Sequence, residues 1–374
     1  MYRIRKYIYG LPDAGRAYYE AYSTHLQEGG YVRTVSDPCL FTKIDGRSRV
    51  YVWCHVDDTF ICASEKEELE KFQQHVRKMF DITVMQNVDE YLGLKLQYVN
   101  NGDVLMTQPK LLSQVTEEFA VELSSHFPRS TTAPQRKAAM QSTDTTPISQ
   151  TTYLHLLGAL LYLTKTRPDI ATAVSFGATH SAKPTKGDYL ELLHCLNYLK
   201  CTKSHGLLLR AGVPGRELQL TCYVDASYLT HADSKSHTGF CMSFGTIGTF
   251  YSKSGKQTLV TTSSTHAEMK ALYSLVIEIV FIVNLCKELH RELHLPCVVM
   301  QDNQPVIDLL QETSARSKRC KHFLMMINWI REQVQAGLVH VHKVDTKHNL
   351  ADVLTKIITG GEFRTKANLL MGTR

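Results

Sequence analysis

From Glu217 onward the apolar residues follow an order that few folds accommodate. Three strand-length runs come first, Leu218–Val224, Thr238–Phe244 and Thr249–Ser252. A long helical run from about Thr265 to Leu293 comes next, then a strand at Cys297–Gln301, helices over 303–313 and 322–336, and a strand over 338–344. The assignment rests on period: short β-prone runs between turn residues mark strands, and recurrence at i, i+3 and i+4 marks helices. Three leading strands followed by alternating helices and strands predict an α/β layered domain with a mixed sheet.

Acidic residues fall at particular points of that pattern. Asp225 closes the first strand, Glu268 lies within about the first turn of the long helix, Asp302 closes the strand ending at Gln301, and Asp352 opens the segment after the last strand. A carboxylate at the C-terminal end of a strand sits at the sheet rim, where ligands of α/β proteins gather. One such Asp is ordinarily a turn or cap residue. Four at one rim cannot all stay ionised without countercharge. Two Mg²⁺ (or Mn²⁺) ions, on the order of 3.5–4 Å apart, would supply it, and such a pair can activate a water and stabilise the leaving oxygen in phosphodiester cleavage.

The first half reads differently. A helix over Ala14–Glu28 is stopped by Gly29-Gly30, and strands Cys39–Ile44 and Arg49–His55 are joined by Asp45-Gly46-Arg47-Ser48, a hairpin signal. Val56-Asp57-Asp58 then forms a hairpin tip before the strand Thr59–Ala63. A helix from Ser64 carries Glu65, Glu67 and Glu68 in its first turn, and strands follow at Tyr91–Tyr98 and Val104–Thr107. The segment 128–152 is rich in Ser, Thr, Pro and Gln and reads as a linker, with helices after it over 153–165, 168–181 and 187–201. The expected organisation is therefore an α+β region over 1–127, a linker over 128–152, a helical region over 153–215 and the α/β domain over 216–374.

Several local phrases are more specific than their spacing. Tyr223-Val-Asp225-Ala, Ser236-His-Thr-Gly239-Phe, Ser263-Ser-Thr-His-Ala-Glu268, Gln301-Asp302-Asn303-Gln, Lys321-His322 and Leu350-Ala-Asp352-Val-Leu-Thr-Lys together resemble the ribonuclease H domain of Copia-type (pseudoviral) retrotransposons. In the first half, Tyr9-Gly-Leu-Pro-Asp-Ala-Gly-Arg16-Ala-Tyr-Tyr19, Asp37-Pro-Cys-Leu-Phe41 and Tyr91-Leu-Gly93 are similar to the reverse transcriptase of the same elements. Leu157-Gly158, Tyr162-Leu-Thr and Thr166-Arg-Pro-Asp-Ile170 match the connecting region, so the likeness covers nearly the whole chain. It implies that Asp225, Glu268, Asp302 and Asp352 are metal-binding catalytic acids that hydrolyse the RNA strand of an RNA–DNA hybrid. It also implies that Asp57 and Asp58 are the paired metal-binding acids of a Tyr-x-Asp-Asp element, with His55 in the usual Tyr position. That polymerase site needs a third Asp on a strand preceding the Tyr-Gly-Leu element, which begins here at Tyr9. The expectation is a reverse transcriptase palm remnant without polymerase activity in this chain alone, followed by a complete ribonuclease H-like domain. Ribonucleases H outside the family place a histidine shortly before the last acid. This sequence departs from that pattern, with Asp345-Thr346 near that place and His348 slightly downstream, where it reads rather as a solvated loop residue.

Charge and cysteine usage fit this picture loosely. The net charge is +6, from 42 basic and 36 acidic side chains, which permits a polyanionic partner. The densest basic run, Arg316, Lys318, Arg319, Lys321 and His322, is either a solvated loop or a tracker of phosphates beside a nuclease site. Recognition of an RNA–DNA hybrid or other nucleic acid would then be by shape, through phosphates and 2′-hydroxyls. The remainder of a Pol polyprotein is the other expected partner. The ten cysteines are scattered without zinc-finger spacing and read as free thiols. The N-terminus has no signal-like apolar region, and no run approaches the roughly 18 uninterrupted apolar residues of a membrane span. The expected location is intracellular, cytoplasmic or nuclear, without secretion or membrane insertion. The competing expectation is a degenerate element product that binds nucleic acid or a protein without catalysis.

Overall fold

The computed structural model describes residues 10–99, 102–124, 131–132, 144–211, 217–245, 248–291, 293–311 and 322–373. Two compact units emerge, one of residues 1–87 with 280–292, the other of residues 88–279 with 293–374. These units follow packing, whereas the sequence segments ending at 127, 152 and 215 follow composition.

In the first unit, helix α1 (Ala14–Glu28) precedes an antiparallel meander of β1 (Val32–Arg33), β2 (Leu40–Asp45), β3 (Ser48–His55) and β4 (Asp58–Ala63), and α2 (Lys66–Val76) follows. Alternation puts Val50, Val52 and Cys54 of β3 on one face, where they join Phe41, Tyr22, Leu26, Phe72 and Val76 in a core. Helices α1 and α2 are pinned by His25 and His75, whose rings stack at 4.1 Å. Each Nε2 meets the other residue's backbone oxygen, at 2.9 and 2.7 Å. A Cβ on Gly29 would lie 2.5 Å from the His75 ring, so the residue that stops α1 must also lack a side chain. Segment 280–292 joins this unit through Glu288, whose carboxylate accepts the Val35 N–H at 2.7 Å and the Ser36 hydroxyl at 2.7 Å.

The second unit holds two sheets. The smaller consists of β5 (Glu90–Tyr91), β6 (Leu94–Tyr98), β7 (Val104–Thr107) and β8 (Leu207–Leu209), in that order and antiparallel. The single strand expected over 91–98 is instead folded back at Leu92-Gly93, both in the left-handed region, where the Leu92 carbonyl accepts the Tyr162 hydroxyl at 2.6 Å. The larger sheet has the order β11 (Tyr251–Lys256), β10 (His237–Phe244), β9 (Leu218–Ser227), β12 (Leu293–Gln301), β13 (Val339–Lys343). Strands β9 to β11 are antiparallel, whereas β12 and β13 run parallel to β9. A meander extended by two parallel strands on its first-strand side makes this a mixed sheet, in keeping with the α/β domain that the order of elements predicts.

Helices cover this unit. α3 (Pro109–Glu118), α4 (Ala120–Ser124), α5 (Gln150–Leu163), α6 (Ala171–Ala178) and α7 (Lys186–Cys201) share one core with Leu350, Val353, Leu354, Phe363, Leu370 and Met371. The capping box Thr185/Asp188 starts α7 where the apolar period begins. α8 (Ser264–Glu288) is the long helix, followed by α9 (Gln304–Gln311), α10 (Leu324–Gln335) and α11 (Gly360–Met371). Although no membrane span was expected, α8 is long and apolar enough to cross a membrane by length and composition, the one such helix among the described residues. Its Ala271, Leu272, Leu275, Val276 and Ile279 are fully buried, the pattern of a core helix. α11 was not foreseen, because its apolar positions are separated by Arg364, Lys366 and Asn368. None of the nine cysteines among the described residues forms a disulfide.

Candidate metal centre

The parallel pairing of β9 with β12 sets the first two acids side by side. Gln301 is in register with Val224, so Asp225 and Asp302 each follow a partnered residue at the same edge of the sheet. Glu268 reaches them from α8, one turn in from the helix start. One ligand oxygen from each of Asp225, Glu268 and Asp302 lies within 4.8 Å of the other two. Asp225 and Glu268 are buried, and Asp302 is partly exposed. Gln301, fully buried at the end of β12, steadies the cluster: its Nε2 points at Glu268 Oε2 (3.5 Å), while its Oε1 accepts the Asn303 N–H at 2.9 Å.

Asp352 arrives by a separate route. Asn349 anchors its segment, donating from Nδ2 to the Val224 carbonyl (3.0 Å) and accepting the Ala351 N–H at Oδ1 (3.1 Å). A short 3₁₀ turn over Leu350–Leu354 then lies against β9 and β10. Close approach requires Gly239, whose hydrogen stands where a Cβ would be 2.5 Å from Thr355 Cγ2 and 2.8 Å from Leu354 Cβ. The Thr355 hydroxyl donates to Asp225 Oδ2. Asp352 does not join the group of three oxygens. Its Oδ1 takes Lys356 Nζ at 2.5 Å and its Oδ2 takes Lys366 Nζ at 2.6 Å. Lys356 also reaches Asp225 Oδ2 at 3.1 Å, so the fourth acid is linked to Asp225 through a lysine.

The electrostatics follow from this packing. Burial pushes the Asp225 carboxyl up, against the pull of Lys356 and Thr355 and with a further push from Asp352. Glu268 is driven well above the usual carboxylate range by burial, then by Asp225 and Asp302. Burial disfavours the Lys356 ammonium, but Asp225 and Asp352 outweigh it and hold the proton on. The cluster thus concentrates negative charge that a divalent cation would relieve. Its donors are all carboxylate oxygens, the hard ligands that Mg²⁺ and Mn²⁺ take.

Residues 1–132 match the family described as reverse transcriptase (RNA-dependent DNA polymerase). Across the chain, the Retrovirus-related Pol polyproteins from transposons RE2 and RE1 of Arabidopsis thaliana are each 31% identical, over 97% and 100% of this chain. The corresponding polyprotein from transposon TNT 1-94 of Nicotiana tabacum is 29% identical over 96% of it. The chain belongs to the Copia-type retrotransposon Pol polyproteins. It spans about a quarter of the length of these relatives, 24%, 25% and 27% respectively. Among solved structures, LC11-RNase H1 from compost is 13% identical with a TM-score of 0.30, over 37% of this chain and 92% of its own. The prototype foamy virus protease-reverse transcriptase is 12% identical with a TM-score of 0.27, over 94% of this chain and 39% of its own.

Within this Copia-type chain, the other expected site residues are placed as follows. Asp57 and Asp58 are exposed at the tip of the β3–β4 hairpin, where His55 pairs with Asp58 and Val56 is held at φ 55°. A β-branched residue in the left-handed region is a strained choice that fixes the tip. Among the described residues, no third carboxylate groups with these two. Arg316, Lys318, Arg319 and Lys321 lie outside the described residues. His322 is described, and its Nε2 meets the Thr262 hydroxyl at 2.8 Å. His348 is exposed on the short turn Thr346–His348. Sequence reasoning did not assign roles to Lys356, Lys366, Thr355, Asn349 or Gln301. Lys356 carried a signal, since it stands four residues after Asp352, the spacing of an intrahelical ion pair. Lys366 carried none, because its helix was not foreseen.

Proposed function

We propose that this Copia-type chain hydrolyses the RNA strand of RNA–DNA hybrids, with Asp225, Glu268 and Asp302 holding a divalent metal, Mg²⁺ or Mn²⁺. The observation that carries this reading is the convergence of three carboxylates from β9, α8 and the end of β12 to within 4.8 Å of one another. A bound divalent ion would polarise the scissile phosphate and lower the pKa of a water. The side chains have distinct tasks. Asp225, central in the sheet, is the shared ligand. Glu268 and Asp302 close the set from a helix and a neighbouring strand. Asp352, the fourth acid, sits beside them with its charge balanced by Lys356 and Lys366. The basic run with Arg316, Lys318, Arg319, Lys321 and His322 is assigned to hybrid phosphates, the contacts that position a duplex without reading its sequence.

In this reading the segment 216–374 is the nuclease, 153–215 its helical support and 1–127 the polymerase-derived portion, with 128–152 between. Asp57 and Asp58 are assigned no nucleotidyl transfer in this chain, because two exposed acids that no third carboxylate joins among the described residues do not make a polymerase metal site. A non-catalytic nucleic-acid-binding role is favoured by one observation, the neutralisation of Asp352 by two lysines. The deciding experiment is hydrolysis of a labelled RNA–DNA hybrid with Mg²⁺ by the wild type and Asp225→Asn. Cleavage by the wild type alone supports the nuclease, and equal signals from the two proteins remove it.

A further inference from the structure

The two lysines on Asp352 differ in kind. Lys366, on α11, has a side chain only 5% exposed and a second partner in Glu362 at 3.1 Å. It is a fixed counter-ion of the fold. Lys356 has a side chain 41% exposed, and its ammonium lies between two acids, 2.5 Å from Asp352 Oδ1 and 3.1 Å from Asp225 Oδ2. A cation that bridges one ligand of the proposed metal centre to the one acid outside it stands where a second divalent ion would have to bind. Its long flexible stem lets the ammonium leave without moving the backbone.

We infer that Lys356 is a built-in cation occupying the Asp225–Asp352 side of the centre, so that one divalent ion binds readily at Asp225, Glu268 and Asp302 and a second enters only by displacing the Lys356 ammonium. This rests on the metal-dependent reading above and deepens it. Without metal, Lys356 spares Asp225 and Asp352 from mutual repulsion and keeps the 350–356 segment docked. With one ion bound, ammonium and metal share Asp225. A second ion competes with the ammonium for the same oxygens and is repelled by it until it swings out. The site then responds to metal in two separated steps, and Lys356 sets the spacing between them.

The experiment is a Mn²⁺ titration of the full chain, with free Mn²⁺ counted by electron paramagnetic resonance. Asp225→Asn serves as the background for unrelated surface binding. The wild type is expected to bind one ion at least roughly tenfold more tightly than the second, and Lys356→Met to bring the two affinities together. Lys356→Arg, which keeps the cation, is expected to retain the stepwise pattern. Two ions of equal affinity in the wild type would overturn the inference even if Lys356→Met failed to fold, as would identical stepwise curves for wild type and Lys356→Met. Binding no greater than that of Asp225→Asn in all three proteins would sink the metal-dependent reading itself, and the inference with it.

Discussion

Gly239 stands opposite Asp225 in the β9–β10 ladder, and a Cβ built on it would lie 2.5 Å from the methyl of Thr355, the residue whose hydroxyl bonds Asp225. One missing side chain therefore sets how closely the 350–356 segment, with its acid and its lysine, approaches the centre. Gly239→Ala is expected to lift that segment and to destabilise the fold by about 1–3 kcal/mol, the usual cost of overpacking. It should also break the Thr355–Asp225 contact, so Mn²⁺ affinity falls along with the urea midpoint. An unchanged midpoint and an unchanged affinity would mean that the segment is not held as described.

Glu268 illustrates how a buried acidic cluster weakens the protein that carries it. Its carboxyl is raised by burial, Asp225 and Asp302, so its ionised form is disfavoured in the folded state. A group with a raised folded-state pKa contributes stability at acid pH and loses it as pH rises through the folded value. Glu268→Gln is expected to stabilise the metal-free protein at neutral pH by on the order of 1 kcal/mol, a few degrees in Tm for a domain of this size. The gain should vanish at pH 4, where Glu268 is protonated. The same variant should lose the rise in Tm that Mn²⁺ gives the wild type. Thermal unfolding at two pH values, with and without Mn²⁺, tests all three outcomes.

How much of this was legible in the sequence depends on whether a feature is local. Strand and helix order from Leu218 to Lys343 follows from apolar period, and so the mixed sheet and the placing of Asp225 and Asp302 at one edge follow too. Glu268 was legible for the same reason, being one turn into a helix that starts after a Thr-Ser-Ser phrase. The position of Asp352 was harder, because a 3₁₀ turn has no apolar period and its docking depends on Asn349, Gly239 and two lysines spread over the chain. The fold-back at Leu92-Gly93 was missed because a β-prone run hides a bend whose hydrogen-bond donor, Tyr162, is remote in sequence. The shared core of 109–201 with 350–371 is equally non-local, which is why composition placed boundaries where packing does not.

The Ser236-His237-Thr238-Gly239-Phe240 phrase contains a buried histidine with structural work to do. His237 Nε2 meets the Ser254 hydroxyl at 2.8 Å and its Nδ1 meets His231 Nε2 at 3.0 Å, while Phe176 stacks on both rings at 4.6 and 4.8 Å. Burial pushes His237 down to about 3, with His231 adding to it. Burial and then Lys256 push His231 down to about 4. Below pH 6.5 the unfolded chain gains protons at both rings that the folded chain refuses, so stability must fall as pH drops from 6.5 towards 4. The slope is up to about 1.4 kcal/mol per pH unit for each proton. His237→Gln keeps an amide for Ser254 and cannot titrate, so its urea midpoint should depend less on pH than that of the wild type across this window. Parallel pH profiles would show that the histidines are not buried neutral.

Thr166-Arg-Pro-Asp-Ile170, which resembles the family's connecting region, is explained by a buried charge network rather than by chemistry. Arg167 grips Asp169 with two parallel bonds, Nε to Oδ1 at 3.0 Å and Nη2 to Oδ2 at 2.7 Å, and Tyr198 donates to the same Oδ2 at 2.6 Å. Arg167 also donates to the Thr202 carbonyl at 3.0 Å, closing the C-terminal end of α7. Both charged residues are almost wholly buried, so either without the other is an uncompensated charge in a dry core. Arg167→Met is expected to cost about 3–5 kcal/mol, and replacing Asp169 by Leu in the same chain should recover a large part of it, because the pair together is worth far less than the penalty for breaking it. Neither residue touches Asp225, Glu268 or Asp302, so Mn²⁺ bound per folded molecule should stay at the wild-type value. Urea unfolding of the two variants beside a Mn²⁺ count on the folded fraction tests this. A single variant as stable as the wild type would mean the network is not buried, and a loss of Mn²⁺ binding from folded protein would tie the connecting region to the metal centre itself.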